Sequence, residues 1–285
     1  MSLTLRKLSY ALGAEICEFD VARPIDEQSF GDIYRTFLDY GVLLFRNQNI
    51  TPEQHIAFSR HFGELDGHDA LPRDRHPNHP EILILTNTPK SNGESSDTKY
   101  AGRRWHSDLS FTLTPSLGSL LRGVSVPDVG GDTMFANMYR AYECLSDGMK
   151  KLISGLYGIH ASGTRKMDSP SKERLDEQRM INPPVAQPLV RIHPETSKKA
   201  LYISEKVKSL EGMTEEESQP LISYLCKHAT RPEFVYRHRW RRNDILVWDN
   251  RCTMHLALGD FDQSQRRYME RTTILGAASG HLVVQ

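Results

Sequence analysis

Two imidazoles and a carboxylate are the side chains of this sequence whose spacing points most directly to chemistry. His106 and Asp108 stand two apart in Trp105-His106-Ser107-Asp108-Leu109-Ser110-Phe111, a stretch of strand character. In a strand, residues i and i+2 project from one face, so imidazole and carboxylate are expected side by side. Such a pair is two corners of a metal site or a simple hydrogen-bonded couple. A second histidine shifts the weighting. His255 ends Trp248-Asp249-Asn250-Arg251-Cys252-Thr253-Met254-His255, beyond a strong apolar strand and a polar turn. If the sheet closes on itself, His255 completes a His-Asp-His face. Two imidazoles and one carboxylate leave about three open positions on an octahedral ion. That ligand set suits Fe(II) holding a bidentate cosubstrate and O₂ together. His55 and His61 on a helix, His76 and His79 beside prolines, and His160, His193, His228, His238 and His281 lack a partner at ligand spacing and read as structural.

A third stretch, Gln265-Arg266-Arg267-Tyr268-Met269-Glu270-Arg271-Thr272-Thr273, puts Arg267, Met269 and Arg271 on one face if it is a strand. Two inward guanidinium groups are costly to bury without anions to pair with. The guanidinium fork matches a carboxylate bidentately, so a carboxylate-bearing ligand is the expected partner. An exposed edge is the other reading of this stretch alone. HxD, a distal histidine and then an arginine, in that chain order, form a far more specific combination.

Composition excludes other tasks. The chain has 285 residues, with 36 Lys+Arg against 36 Asp+Glu, and so a formal net charge of zero. A general polyanion binder shows a basic excess, so a nucleic-acid partner is not expected. Charged residues at 25% and hydrophobic ones at 38% are ordinary globular proportions. No apolar run approaches the roughly 18–20 residues of a membrane-spanning helix, and the opening MSLTLRKLSYALGAEICEFD has no signal-like apolar core. Cys17, Cys144, Cys226 and Cys252 lie far apart without a CxxC pair, which reads as free thiols in a reducing cytosol. A cytoplasmic protein with one domain over residues 1–285 is the expectation, with no membrane partner. Assembly into a homo-oligomer is left open.

The elements that must position these residues are mostly strands. Leu3–Ser9 and Ala14–Phe19 read as short strands, and Asp26–Tyr40 has helical spacing with Gly41 to end it. Val42–Phe45 reads as a buried strand. Thr51-Pro52-Glu53-Gln54 has the form of a capping box that starts a helix running to about Phe62. Beyond Glu81 the expected strands are Ile82–Leu85, Arg104–Phe111, Gly118–Val126, Thr133–Asn137, Leu189–His193, Ala200–Ile203, Phe234–Trp240, Asp244–Trp248 and Arg267–Leu275. His193-Pro194-Glu195-Thr196 opens a hairpin turn, and helices are expected over Tyr139–Ser154 and Thr214–His228. Pro89–Lys99 and Gly163–Arg179 read as long loops. Short strands with few helices imply an antiparallel sandwich or barrel.

Taken together, WHSDLSF, GGDTMFANMYRAYECL, WDNRCTMHLALGDF and QRRYMERTTILG resemble the taurine dioxygenase / 2,4-dichlorophenoxyacetate dioxygenase family of Fe(II)/2-oxoglutarate oxygenases. The likeness runs from the N-terminal strands, with VLLFRNQNITPEQHIAFSRHFGEL matching well, to about Gly276. It implies a mainly β fold, a double-stranded β-helix or jelly roll, with flanking helices and long active-site loops. His106, Asp108 and His255 match the family's iron ligands. Thr133 and Arg267 match the residues that hold the distal carboxylate of 2-oxoglutarate. Arg271 and His68 match residues that reach the anionic group of the primary substrate.

The resemblance thus implies Fe(II) with 2-oxoglutarate and O₂ as cosubstrates, and oxidation of a C–H bond in a small anionic organic substrate such as a carboxylate or sulfonate. An intact Asp108 favours hydroxylation over the halogenation that relatives lacking this carboxylate perform. Gly102 and Leu71 depart from the asparagine and tyrosine that taurine dioxygenase carries, which argues against taurine itself. Ala229–Trp240 is closer to the herbicide-degrading branch, and the loop Pro89–Gly102 is placed to form a lid. A zinc-dependent hydrolase using the same His-Asp-His face is the competing reading, though no HExxH is present. A silent binding protein would have lost a ligand, and all three are in place.

Overall fold

The computed structural model describes residues 3–68, 74–89, 93, 96, 98–162 and 181–283. In chain order the strands begin with β1 (Thr4–Lys7), β2 (Ala14–Cys17), β3 (Val42–Phe45), β4 (Arg75–His76), β5 (His79–Thr86), β6 (Gly118–Ser125) and β7 (Thr133–Asn137). Next come β8 (Tyr157–His160), β9 (Val185–Pro188), β10 (Val190–Ile192), β11 (Lys199–Leu201) and β12 (Val207–Leu210). The last are β13 (Val235–His238), β14 (Ile245–Asp249), β15 (Thr253–Ala257), β16 (Tyr268–Ile274) and β17 (His281–Leu282). The larger sheet has the order β1-β2-β3-β14-β6-β16-β5-β4, and a smaller one the order β13-β7-β15. The two face each other across a core that includes Leu44, Leu121, Phe135, Trp248 and Met269. This is the mainly β jelly roll expected from the sequence.

Central strands of the larger sheet are buried on both faces. Ile245 and Val247 of β14 pack with Phe37 and Phe58 from the flanking helices. Leu246 and Trp248 point the other way, into the core between the sheets. A strand with two buried faces loses its polar positions, which is why Val42–Phe45 and Ile245–Trp248 read as unbroken apolar runs. The helix Glu27–Tyr40 is started by Asp26, which accepts from the Ser29 amide, and ended by Gly41 at φ 70°. The helix Pro52–Arg60 has the full Thr51/Gln54 capping box and stops slightly before Phe62. Glu215–Ala229 starts on Thr214 with Glu217 closing a second box. No helix among the described residues is long and apolar enough to cross a membrane.

Two sequence expectations fail for identifiable reasons. Arg104–Phe111 is not a strand: it makes one isolated bridge, His106 with His255, and then turns. The Asp108 amide donates to the Asn250 side chain instead of a neighbouring strand, and Leu109 sits at φ 51°. The helix expected over Tyr139–Ser154 is two, Met138–Glu143 and Asp147–Ile153, because Ser146 caps the Met149 amide and restarts the coil. The sheet β12-β8-β9-β17 was not foreseen. The hairpin of β10 and β11 around His193–Thr196 was. Leu71, the loop Gly163–Arg179 and part of Pro89–Lys99 lie outside the described residues.

Candidate active site

Main-chain pairing sets the two histidines side by side. The His106 amide donates to the His255 carbonyl at 3.0 Å, and the His255 amide returns a bond to His106 at 2.8 Å. The ring centroids consequently lie 4.1 Å apart. Asp108 reaches the same spot through the turn that follows, not through strand alternation. Its Oδ1 is 3.8 Å from His106 Nε2 and its Oδ2 is 3.8 Å from His255 Nε2. One donor atom from each residue lies within 4.8 Å of the others, and all three residues are buried.

The surroundings keep these groups in metal-binding form. A carbonyl only accepts, so the 2.7 Å contact of His106 Nδ1 with Arg104 O places the proton on Nδ1 and leaves the Nε2 lone pair free. Burial pushes the His255 pKa down to about 4. Burial, followed by the charge of Lys206, pushes His106 well below its ordinary value. Both imidazoles are therefore neutral at neutral pH, each with one ring nitrogen free of a proton. Burial alone would raise the Asp108 pKa, but the Arg271 guanidinium, together with the neighbouring imidazoles and the Ser119 hydroxyl, outweighs it and holds the carboxylate well below its usual range. Arg271 Nη1 donates to Oδ1 at 2.5 Å and Ser119 Oγ to Oδ2 at 2.8 Å.

Asn250 organises this carboxylate. Its Oδ1 accepts from the Asp108 amide and from Trp248 Nε1, each at 3.1 Å. Its Nδ2 donates to Ser116 Oγ at 3.0 Å and Ser119 Oγ at 3.1 Å. Neither Ser119 nor Asn250 was singled out from the sequence; the signal for Asn250 was an amide in the turn after a fully apolar strand. Groups that orient a metal ligand typically matter 10–100-fold for affinity. Asn250→Ala is accordingly expected to weaken Mn(II) binding by about that factor in a chelator competition. Wild-type affinity would remove Asn250 from the orienting network.

A cavity of about 190 Å³ opens beside the donor set. Thr133, the first residue of β7, lines it, and its hydroxyl oxygen accepts from Trp240 Nε1 at 3.0 Å. An indole N–H can only donate, so the Thr133 proton is free to donate in turn. Arg267 lies just before β16, and Tyr268 to Met269 carries a bulge, so strand alternation does not govern its direction. Its Nε donates to Gly131 O at 3.3 Å, whereas its Nη2 is buried without a partner among the described residues. Gly131 sits at φ 66°, and a Cβ there would lie 3.4 Å from Arg267 Nε and 3.3 Å from Phe261. Burial, then Arg103, lowers the Arg267 pKa to about 10, which leaves it charged at neutral pH. A buried, charged N–H with no acceptor among the described residues and a free hydroxyl donor lining the same cavity fit a carboxylate.

Six of the seven residues singled out from the sequence line this one cavity: His106, Asp108, Thr133, His255, Arg267 and Arg271. Arg271 arrives from β16 in the larger sheet, opposite Leu83 and Leu121. His68 is placed elsewhere. It is buried, its Nε2 donates to the Glu81 carbonyl at 3.1 Å, and its Nδ1 lies 3.4 Å from Asp66. It is not among the residues that line the cavity. Gly102 lines the wall at φ 74°, and Lys99 to Arg104 form one side of it, as expected for the loop before His106.

Comparison with known proteins agrees with this architecture. Residues 4–273 match the family described as taurine catabolism dioxygenase TauD, TfdA family. An alpha-ketoglutarate-dependent 2,4-dichlorophenoxyacetate dioxygenase of Cupriavidus pinatubonensis is 32% identical over 98% of this chain and 99% of its own. An alkylsulfatase of Acinetobacter baylyi is 32% identical over 96% of this chain and 85% of its own. The crystal structure of AAD-2 in complex with Mn(II) and N-oxalylglycine matches with a TM-score of 0.82 at 32% identity, covering 98% of this chain and 99% of that one. The protein is an oxidoreductase that uses Fe(II), with 2-oxoglutarate and O₂ as cosubstrates. By fold, donor set and sequence, the chain belongs to the TauD, TfdA family of dioxygenases.

Proposed function

We propose that the enzyme hydroxylates a C–H bond of a small organic acid, a carboxylate or a sulfonate, as 2-oxoglutarate is converted to succinate and CO₂. The observation that carries this reading is convergence: the His-Asp-His donors, the unpartnered Arg267 Nη2 and Arg271 all meet one cavity. Bound Fe(II), with 2-oxoglutarate and O₂, supplies the oxidant for an unactivated C–H bond. The chain supplies aim. His106, Asp108 and His255 would hold the metal, at the wall of the cavity that they line. Thr133 and Arg267 take the far carboxylate of 2-oxoglutarate and fix its orientation. Leu83, Leu85, Leu121 and Trp248 form the apolar wall against which a carbon skeleton is held and water excluded. Relatives that act on 2,4-dichlorophenoxyacetate and on alkyl sulfates support an acid with an apolar body.

A zinc hydrolase would use the same donor set but leave Thr133 and Arg267 without a task. One assay separates the two. Fe(II) and 2-oxoglutarate are expected to support succinate formation and O₂ uptake that rise when the right member of a carboxylate, sulfonate and sulfate-ester panel is added. Zinc-supported turnover of the panel without O₂ would sink the oxygenase reading.

A further inference from the structure

The cavity carries more positive charge than the metal and 2-oxoglutarate account for. Arg271 is engaged by Asp108, and Arg267 faces Gly131 and the cosubstrate end. Arg103 and Lys99 lie over the Tyr100 ring, 5.1 and 5.5 Å from its centroid. Arg104 donates to the Glu205 carbonyl at 3.3 Å. Lys206 is different. It lines the cavity from the segment between β11 and β12, and its ammonium makes no hydrogen bond or ion pair with a described residue.

Its position is nonetheless held. The preceding Glu205 donates its amide to the Trp105 carbonyl at 3.2 Å and accepts from the Trp105 amide at 3.2 Å. The Lys206 amide is bonded to Ser204 Oγ at 3.2 Å. Lys206 is thereby fastened beside the segment that bears His106. Its charge is felt at both His106 and His255, and it interacts with Asp108 and Arg271. Burial and then Arg104 lower its pKa to about 8, so it stays mostly protonated at neutral pH. Lys206 is half-buried, so its ammonium is only partly solvated, and an anion entering the cavity gains a charge partner there.

The anion for this place is neither the far carboxylate of 2-oxoglutarate, which has Arg267 and Thr133, nor one shared with His68, whose ring is turned to Glu81 and Asp66. Beside its bond to Asp108, Arg271 keeps a buried Nε without a hydrogen-bond partner among the described residues. We propose that Lys206, together with Arg271, receives the acidic head of the primary substrate and is the residue that selects acids over neutral compounds of the same shape. This rests on the oxygenase reading and names the recognition group of that same site.

The test uses full-length wild type, Lys206→Met and Lys206→Arg, loaded with Mn(II) in place of Fe(II) and with 2-oxoglutarate. Calorimetry then measures binding of phenoxyacetate, hexanesulfonate, hexyl sulfate and the uncharged phenoxyethanol. Breaking a desolvated charge pair corresponds to a loss of about 30-fold or more in affinity. Lys206→Met is expected to lose that much affinity for the acid that wild type binds best, with phenoxyethanol and 2-oxoglutarate binding within about twofold of wild type. Lys206→Arg is expected to recover most of the loss, and with Fe(II) the Met variant's defect falls on substrate KM more than on kcat. Unchanged acid affinity in Lys206→Met, an equal loss for phenoxyethanol, or a parallel loss of 2-oxoglutarate overturns the proposal. So does a wild type that binds 2-oxoglutarate and none of the acids. A wild type that fails to bind 2-oxoglutarate itself overturns the oxygenase reading instead.

Discussion

Asp108→Ala is expected to abolish Fe(II)-dependent succinate formation and to destabilise the metal-free protein by about 3–5 kcal/mol. The two effects have different origins. The carboxylate is one of only three donors in the candidate metal group, so its removal leaves two imidazoles. It is also the acceptor for Arg271 Nη1, in a buried pair whose side chains are 9% and 4% exposed. Removing one member strands the other as an uncompensated charge, which is why the cost exceeds the net worth of the pair. The pH dependence has a definite sign. The folded-state pKa of Asp108 is depressed, so its contribution is fully present above the unfolded value of about 3.9 and fades as pH falls toward the folded value. Urea denaturation of metal-free protein across that range checks both points. A variant as stable as wild type, with the same acid sensitivity, would show that the buried pair adds nothing to stability.

Arg267→Ala is expected to raise the KM for 2-oxoglutarate by about 30-fold or more while kcat at saturation changes far less. The guanidinium is charged and has a buried Nη2 awaiting an acceptor. A ligand carboxylate that satisfies it loses its main counter-charge in the variant. Arg267→Lys restores charge without the fork and is expected to fall between the two. Steady-state kinetics with varied 2-oxoglutarate decides it. An unchanged KM would move the anchor to Arg271, Arg103 or Arg104, the other guanidinium groups of the wall.

The donor set was legible in the sequence, but the reason given for it was not the one the fold uses. Strand alternation put His106 beside Asp108; the structure puts them together through one bridge to His255 and a turn held by Asn250. A spacing of two is compatible with either geometry, and only the long-range partner decides. Strands buried on both faces were easy to find because burial removes their polar positions. The sheet of β8, β9, β12 and β17 was not, because its strands have four residues or fewer and pair with distant segments. His68 sits at the expected place in the chain, yet its ring direction depends on the Glu81 carbonyl of a neighbouring strand. Lys206 had no local signal either; Trp105 brings it to the cavity.

The reciprocal main-chain bonds between His106 and His255, with the Asp108 to Asn250 bond spanning 142 residues of sequence, have a bearing on how the molecule assembles. Contacts of such separation are costly to close and tend to form slowly, since chain entropy is lost before they contribute. The donor atoms are therefore scattered until the sheets have met, and a divalent ion is captured only by chains that have completed the fold. An ion held by His106, Asp108 and His255 would tie these distant segments together. At a hundredfold excess over its dissociation constant it adds about 2.7 kcal/mol to the native state. The metal-loaded chain is thus expected to be more stable than the metal-free one, which urea denaturation with and without Mn(II) checks.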